Sequence, residues 1–153
     1  MDLILWRHAD AVNGSPDAER ELTEKGHAQA KRMAAWLNAR LPDDALVLAS
    51  PACRAQQTAA ALRRTIVTSP ALATSAGVSD ILKVVRWPAG EKTTVVVGHQ
   101  PTLGQTASLL LTGTDGELSV RKGAVWWLTA RTRGGRSYAV LRAMISPDML
   151  KKD

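Results

Sequence analysis

The sequence predicts an α/β fold: a three-layer α/β/α sandwich around a mostly parallel, six-stranded mixed sheet. Three observations lead there. Short apolar runs alternate with segments of helical periodicity through the first two thirds of the chain. The apolar runs are continuous, as expected of strands covered on both faces. The last third instead carries two longer β-type runs around Gly134-Gly135, the pattern of an antiparallel hairpin.

The elements follow in order. Leu3 to Trp6 is a buried strand, and Ala9 to Leu22, rich in Asp, Asn, Gly, Ser and Pro, is a loop. A helix is expected from about Glu24 to Arg40, with Thr23 as N-cap and Ala30, Met33, Ala34, Leu37 and Leu41 on its apolar face. Pro42 and two aspartates end it. Leu46 to Ala49 is the second strand. Ser50 and Pro51 then read as N-cap and first residue of a helix reaching Arg63. A short strand over Thr65 to Thr68 precedes a helix over Val78 to Trp87, closed by Pro88. Thr94 to Val97, β-branched and apolar, is the clearest strand signal. Gly98 to Pro101 turn into a helix ending near Gly113. Ala124 to Ala130 and Tyr138 to Ile145 form the hairpin. No repeat or linker interrupts this, so one domain over 1–153 is expected.

Bulk properties narrow the function. The single cysteine, Cys53, rules out an intrachain disulfide and favours a reducing, cytoplasmic setting. The chain starts with an acid and reaches Arg7 after a short apolar run, unlike a signal peptide. No run approaches the roughly 18 apolar residues of a membrane span, so no membrane association is expected. The net charge of +6 suits an anionic partner, or is simply a basic soluble surface. Basic residues are scattered, and the six aromatics, five of them Trp, form no interleaved stripe, which argues against nucleic acid.

Ligands of such sheets bind beyond the carboxyl ends of the strands. Three clusters fall there: Arg7 and His8 after the first strand, Arg54 in the first turn after the second, and His99 after the Thr94 to Val97 strand. Guanidinium forks match phosphate oxygens and stay charged. Helix starts at Pro51 and Pro101 would add free N–H groups. An imidazole can attack phosphorus and hold the phosphoryl group covalently. Taken singly, a strand-end histidine or a first-turn arginine is commonly structural; their convergence on one sheet edge is what suggests an anion site.

The residues also carry a family resemblance. Leu5-Trp6-Arg7-His8-Ala9 resembles the Arg-His-Gly signature of the histidine phosphatase superfamily, the phosphoglycerate-mutase-like fold. Leu22-Thr23-Glu24-Lys25-Gly26 is similar to its Leu-Thr-x-x-Gly element. Ser50-Pro51-Ala52-Cys53-Arg54-Ala55-Gln56-Gln57-Thr58-Ala59 resembles its Ser-Pro-x-x-Arg-Ala-x-Gln-Thr-Ala element, and Val97-Gly98-His99-Gln100-Pro101 its Val-Gly-His-x-Pro element. The short length and the ending Met144 to Lys151 resemble the SixA-type phosphohistidine phosphatases. The resemblance implies His8 as phosphorylated nucleophile, with Arg7, Arg54 and His99 holding phosphoryl oxygens. It implies water as the second acceptor, and no metal or other cofactor.

Two departures bear on the substrate. Ala9 stands where the family has glycine, and its methyl could crowd the pocket. Many family members place a carboxylic acid after the third strand, but Ser69 to Val78 contains none; Asp80 comes first, inside the next expected helix. Losing a general acid costs about 10²–10⁴ on an alcohol leaving group. A phosphohistidine suffers less, because its second ring nitrogen can carry the proton. Asp10 or Glu21 in the loop could substitute. The expected activity is therefore hydrolysis of phosphohistidine on a signalling or phosphotransfer protein. A phosphatase for small phosphate esters, or a phosphate-binding module without turnover, are the alternatives.

Other features read as structural. Cys53 lacks the arginine at position 59 that a Cys-x5-Arg phosphatase needs, and is expected to be a small buried residue. Gly90-Glu91-Lys92-Thr93 lacks the glycines of a Walker loop. The three histidines lack metal-ligand spacing. His27 is expected on the packed face of the first helix, and Gly26 to permit a close backbone approach. Trp126 and Trp127, adjacent in a strand, should face opposite sides, one of them inward.

Overall fold

The alternation of Leu3 and Leu5 with Ile4 and Trp6 organises the architecture, because neighbouring strand residues point to opposite faces. All four are fully buried, each contributing roughly 1.5–3 kcal/mol. Such a strand needs a layer on both sides. The computed structural model, which describes residues 1–152, supplies them.

The strands are β1 (Asp2–Arg7), β2 (Leu46–Ala49), β3 (Val67–Thr68), β4 (Thr94–Gly98), β5 (Val125–Arg133) and β6 (Arg136–Ile145). The helices are α1 (Glu24–Asn38), α2 (Cys53–Ala60), α3 (Val78–Val85) and α4 (Thr102–Thr112). The sheet order is β3-β2-β4-β1-β5-β6. β1 to β4 run parallel, while β5 pairs antiparallel with both β1 and β6. Ile4, Trp6, Val47, Val95 and Val97 pack with Met33 and Leu37 of α1 and Ala55 and Ala59 of α2. Leu3, Leu5, Leu48 and Val96 pack with Ile81 and Val85 of α3 and Leu103 and Ala107 of α4. The expected three layers are present. Among the described residues, no helix is long and apolar enough to cross a membrane.

Several boundaries differ from the sequence reading. α2 starts two residues after Pro51, with Ala52 as cap, and the Ser50 hydroxyl accepts the Ala52 N–H just ahead of it. α3 stops at Val85 rather than Trp87, since Arg86 takes a left-handed conformation (φ 60°). β3 is cut to two residues, paired only with Leu48 and Ala49. The hairpin is longer than expected: β5 reaches Arg133, and Gly134 and Gly135 turn with φ of 57° and 78°, a conformation glycine adopts at little cost. Three short 3₁₀ turns, at Asp17–Glu19, Pro70–Leu72 and Pro147–Met149, had no clear sequence signal.

Within α1, Thr23 is the N-cap and its hydroxyl accepts the Gly26 N–H at 2.9 Å. A Cβ at Gly26 would collide with the Asp10 carbonyl oxygen, so this glycine lets the helix press on the segment just after His8. His27 is exposed, contrary to expectation. The packed face runs through Gly26, Ala30, Met33, Ala34 and Leu37, one residue round from it. Trp127 is buried and Trp126 half-buried against the opposite layer.

Candidate active site

The sheet order explains why distant residues meet. β2, β4 and β1 are consecutive neighbours, so their carboxyl ends deliver Ser50, His99 and Arg7-His8 to one crevice. The His8 N–H donates to the Gly98 carbonyl at 3.1 Å, and its carbonyl accepts the Gly123 N–H at 3.0 Å. Both ends of the residue are thereby fixed. Arg54 enters from the first turn of α2. His8, Arg54 and His99 are all buried, at 7%, 4% and 6% exposure.

The hydrogen bonds define the reactive face of His8. Its Nδ1 lies 2.8 Å from the Ala9 carbonyl oxygen, an acceptor, so Nδ1 carries the proton. Nε2 is left with a lone pair, and receives the Arg54 Nε–H at 3.3 Å. The His99 ring centroid is 5.3 Å from that of His8. His99 Nε2 is 2.8 Å from the Ser50 hydroxyl. That hydroxyl also accepts the Ala52 N–H at 3.2 Å. His99 Nδ1, on the other side of the ring, is buried with no hydrogen-bond partner. Arg7 donates from Nη1 to the Val120 carbonyl at 2.9 Å, while its buried Nε is unpartnered. Unsatisfied buried polar atoms such as these are costly unless a ligand completes them.

Burial pushes His8 down to about 3, helped by the positive neighbours His99, Arg54 and Arg7 and opposed by the Ala9 carbonyl. Burial and then Arg54 lower His99 to about 4, with Asp17 opposing. Both imidazoles are neutral at physiological pH, and a neutral Nε2 is what nucleophilic attack requires. There is a consequence for stability. Both values lie below the ordinary 6.5, so protonation opposes folding. The stability these groups contribute is complete above pH 6.5 and declines as the pH falls toward 4. Urea titrations should show that decline, and a His8→Gln His99→Gln variant should flatten it. An equally steep decline in the variant would contradict the assignment.

The two carboxylates the sequence offered as acids are bonded to groups outside the catalytic four. Asp10 is bonded to the Thr23 hydroxyl at 2.8 Å and Lys122 Nζ at 3.2 Å, and Glu21 accepts from Gln57 Nε2 at 3.2 Å. A third carboxylate, unforeseen, meets the site. Asp17 binds both terminal nitrogens of Arg54, through its carbonyl oxygen at 2.9 Å and Oδ2 at 3.1 Å. Hydrogen bonds from Arg20 and Arg54 hold it below the usual carboxylate range, so it is ionised and has no proton to give near neutrality. After β3, the wall is Ala73 and Thr74. Asp80 instead caps α3, accepting the Gly77 N–H at 2.9 Å.

Ala9 does not crowd the pocket. It packs with Ala11, Leu22 and Ala30, and its φ is not positive, so no glycine is needed. Its N–H donates to Thr58 Oγ1 at 3.0 Å, and that hydroxyl donates to the Arg54 carbonyl at 2.7 Å. Thr58 therefore couples the His8 loop to α2. Its position one turn after Arg54 was the available signal. Cys53 is half-buried rather than buried. Among the described residues, no group of three His, Cys, Asp or Glu side chains could hold a metal ion.

Comparison with known proteins bears on the family and the fold. The sequence model of the histidine phosphatase superfamily (branch 1) matches residues 3–78. An uncharacterized protein of Mycobacterium tuberculosis is 35% identical over 124 residues, 75% of this chain and 77% of that one. The solved structure of the protein histidine phosphatase SixA complexed with tungstate superposes with a TM-score of 0.84 at 24% identity, covering 99% of this chain and all of that one. A Nakamurella multipartitia protein described as a phosphohistidine phosphatase SixA gives 0.76 at 29% identity, over 95% of each chain. The chain belongs to the histidine phosphatase superfamily, and is thus a phosphatase of the histidine-nucleophile class. Within that superfamily its fold is that of the SixA structures.

Proposed function

We propose that this chain is a phosphohistidine phosphatase of the SixA type, acting on a phosphorylated histidine of a signalling or phosphotransfer protein. His8 Nε2 attacks the substrate phosphorus in line as the P–N bond to the substrate imidazole breaks. The departing imidazole already carries a proton on its other nitrogen and leaves neutral. Arg7, Arg54 and His99 hold the equatorial oxygens, where charge spreads in the transition state. Water then attacks phospho-His8, the P–Nε2 bond breaks, and inorganic phosphate departs. Asp17 must release Arg54 for the phosphoryl group to enter, since both compete for the same donors.

One observation carries the choice of substrate. Among the described residues, Asp17 is the only carboxylate bonded to any of these four, and it is ionised. An alcohol leaving group finds no proton donor here; phosphohistidine needs none. The test is a rate comparison between a phosphorylated histidine-containing phosphotransfer domain and a panel of phosphosugars, phosphoglycerate and phosphoserine. The expected result is a kcat/KM at least about 10²-fold higher on the phosphodomain. A preference for any ester would overturn this reading in favour of a small-ester phosphatase.

A further inference from the structure

A groove of about 550 Å³ lies beside the catalytic crevice. Its lining includes five basic side chains and two carboxylates. Lys25, Ala28, Gln29 and Arg32 form one wall. Their spacing places them on a single face of α1, distinct from the face that packs on the sheet. The opposite wall is Arg121 and Lys122, with Pro147 and Asp148 closing one end.

The groove is built onto the nucleophile's own loop. Gln29 Oε1 accepts the Asp10 N–H at 2.9 Å, Lys122 Nζ reaches Asp10 Oδ1 at 3.2 Å, and the Gly123 N–H bonds the His8 carbonyl at 3.0 Å. Whatever lies in the groove therefore lies against the rim of the site. Two of the cations are already committed: Lys122 to Asp10, and Arg121 to Asp148 at 3.2 Å. Lys152 lies at the chain end, and Lys25 and Arg32, on the α1 wall, are not committed. Among the described residues neither meets a carboxylate, and the Arg32 Nε is buried with no hydrogen-bond partner.

We infer that this groove is a docking surface for an acidic segment of the phosphorylated protein substrate, with Lys25 and Arg32 as its unpaired cations. The inference rests on the protein-phosphatase reading above. Charge complementarity selects the occupant: an excess of fixed positive charge, open to solvent and continuous with the catalytic rim, attracts an acidic surface and orients it as it arrives. The bulk of a protein substrate must lie outside the crevice where His8 is buried, and this groove is a concave surface beside it.

The experiment is a double charge reversal, Lys25→Glu Arg32→Glu, with Lys25→Gln Arg32→Gln as a milder companion. Neither residue belongs to the catalytic set. Two substrates are compared: free phosphohistidine, and a phosphorylated histidine-containing phosphotransfer domain whose surface around the histidine is acidic. On the domain, kcat/KM should fall roughly tenfold or more through KM in the reversal and less in the companion, and lose most of its salt dependence. On free phosphohistidine both variants should match the wild type. Unchanged rates on the domain would overturn the inference. So would an equal fall on both substrates, which would mean damage to the Asp10 loop. If the wild type hydrolyses esters but not the phosphodomain, the protein-phosphatase reading itself fails, and the groove falls with it as a substrate dock.

Discussion

His8→Ala should abolish turnover, lowering kcat by about 10⁴-fold or more, the scale set by removing a nucleophile from an assembled site. The expectation comes from geometry. Among the described residues, His8 is the one imidazole whose tautomer is fixed by a backbone carbonyl, with an unprotonated Nε2 that accepts the Arg54 Nε–H at 3.3 Å. His99, its neighbour, turns Nε2 to Ser50 instead. The substitution deletes a side chain whose hydrogen bonds, among the described residues, are with Ala9 and Arg54, so the sheet and both cores should survive. Steady-state rates on phosphohistidine, with thermal unfolding as the control for folding, check this. A folded His8→Ala protein within tenfold of wild-type activity would refute the nucleophile assignment.

Arg54 should be next in importance. Its Nε points at His8 Nε2, and its two terminal nitrogens are held by the Asp17 carbonyl and carboxylate. Arg54→Ala is expected to lower kcat by about 10²–10³, the range for one preorganised donor at a developing anion. Arg54→Lys keeps the charge but cannot reach His8 and the phosphoryl oxygens together, because it lacks the planar fork. It should recover little of the loss. Tungstate or vanadate inhibition should weaken in both variants. A lysine variant close to wild type would mean that Arg54 acts as a point charge, and not through its fork.

Much of this was legible in the sequence, for identifiable reasons. The strand cores and the periodicity of α1 are strong signals because each is enforced by burial on a defined face. Arg7, His8, Arg54 and His99 were legible because each sits at the end of a clear strand or in the first turn after one, and the structure brings all four together. What sequence reasoning missed depends on tertiary placement. Ser50 read as a helix cap, yet its hydroxyl is turned to His99. Asp17 lies in a loop with no periodicity, and only the fold reveals that it reaches Arg54, while Asp10 and Glu21 bond to other groups. His27 was placed one residue too far round its helix, an error that a half-polar amphipathic face invites. The groove was invisible because α1, the Arg121-Lys122 segment and Pro147-Asp148 are far apart in the chain.

The central claim, that the phosphoryl group passes through Nε2 of His8, has a direct test. The wild-type enzyme is mixed with phosphohistidine substrate, quenched within a turnover in alkali, and the trapped phosphoenzyme is mapped by peptide mass spectrometry and phosphorus NMR. An acid-labile, alkali-stable phosphate on Nε2 of His8 is predicted. Phosphate on Nδ1 or on another residue, or turnover with no phosphoenzyme at any quench time, would contradict the account.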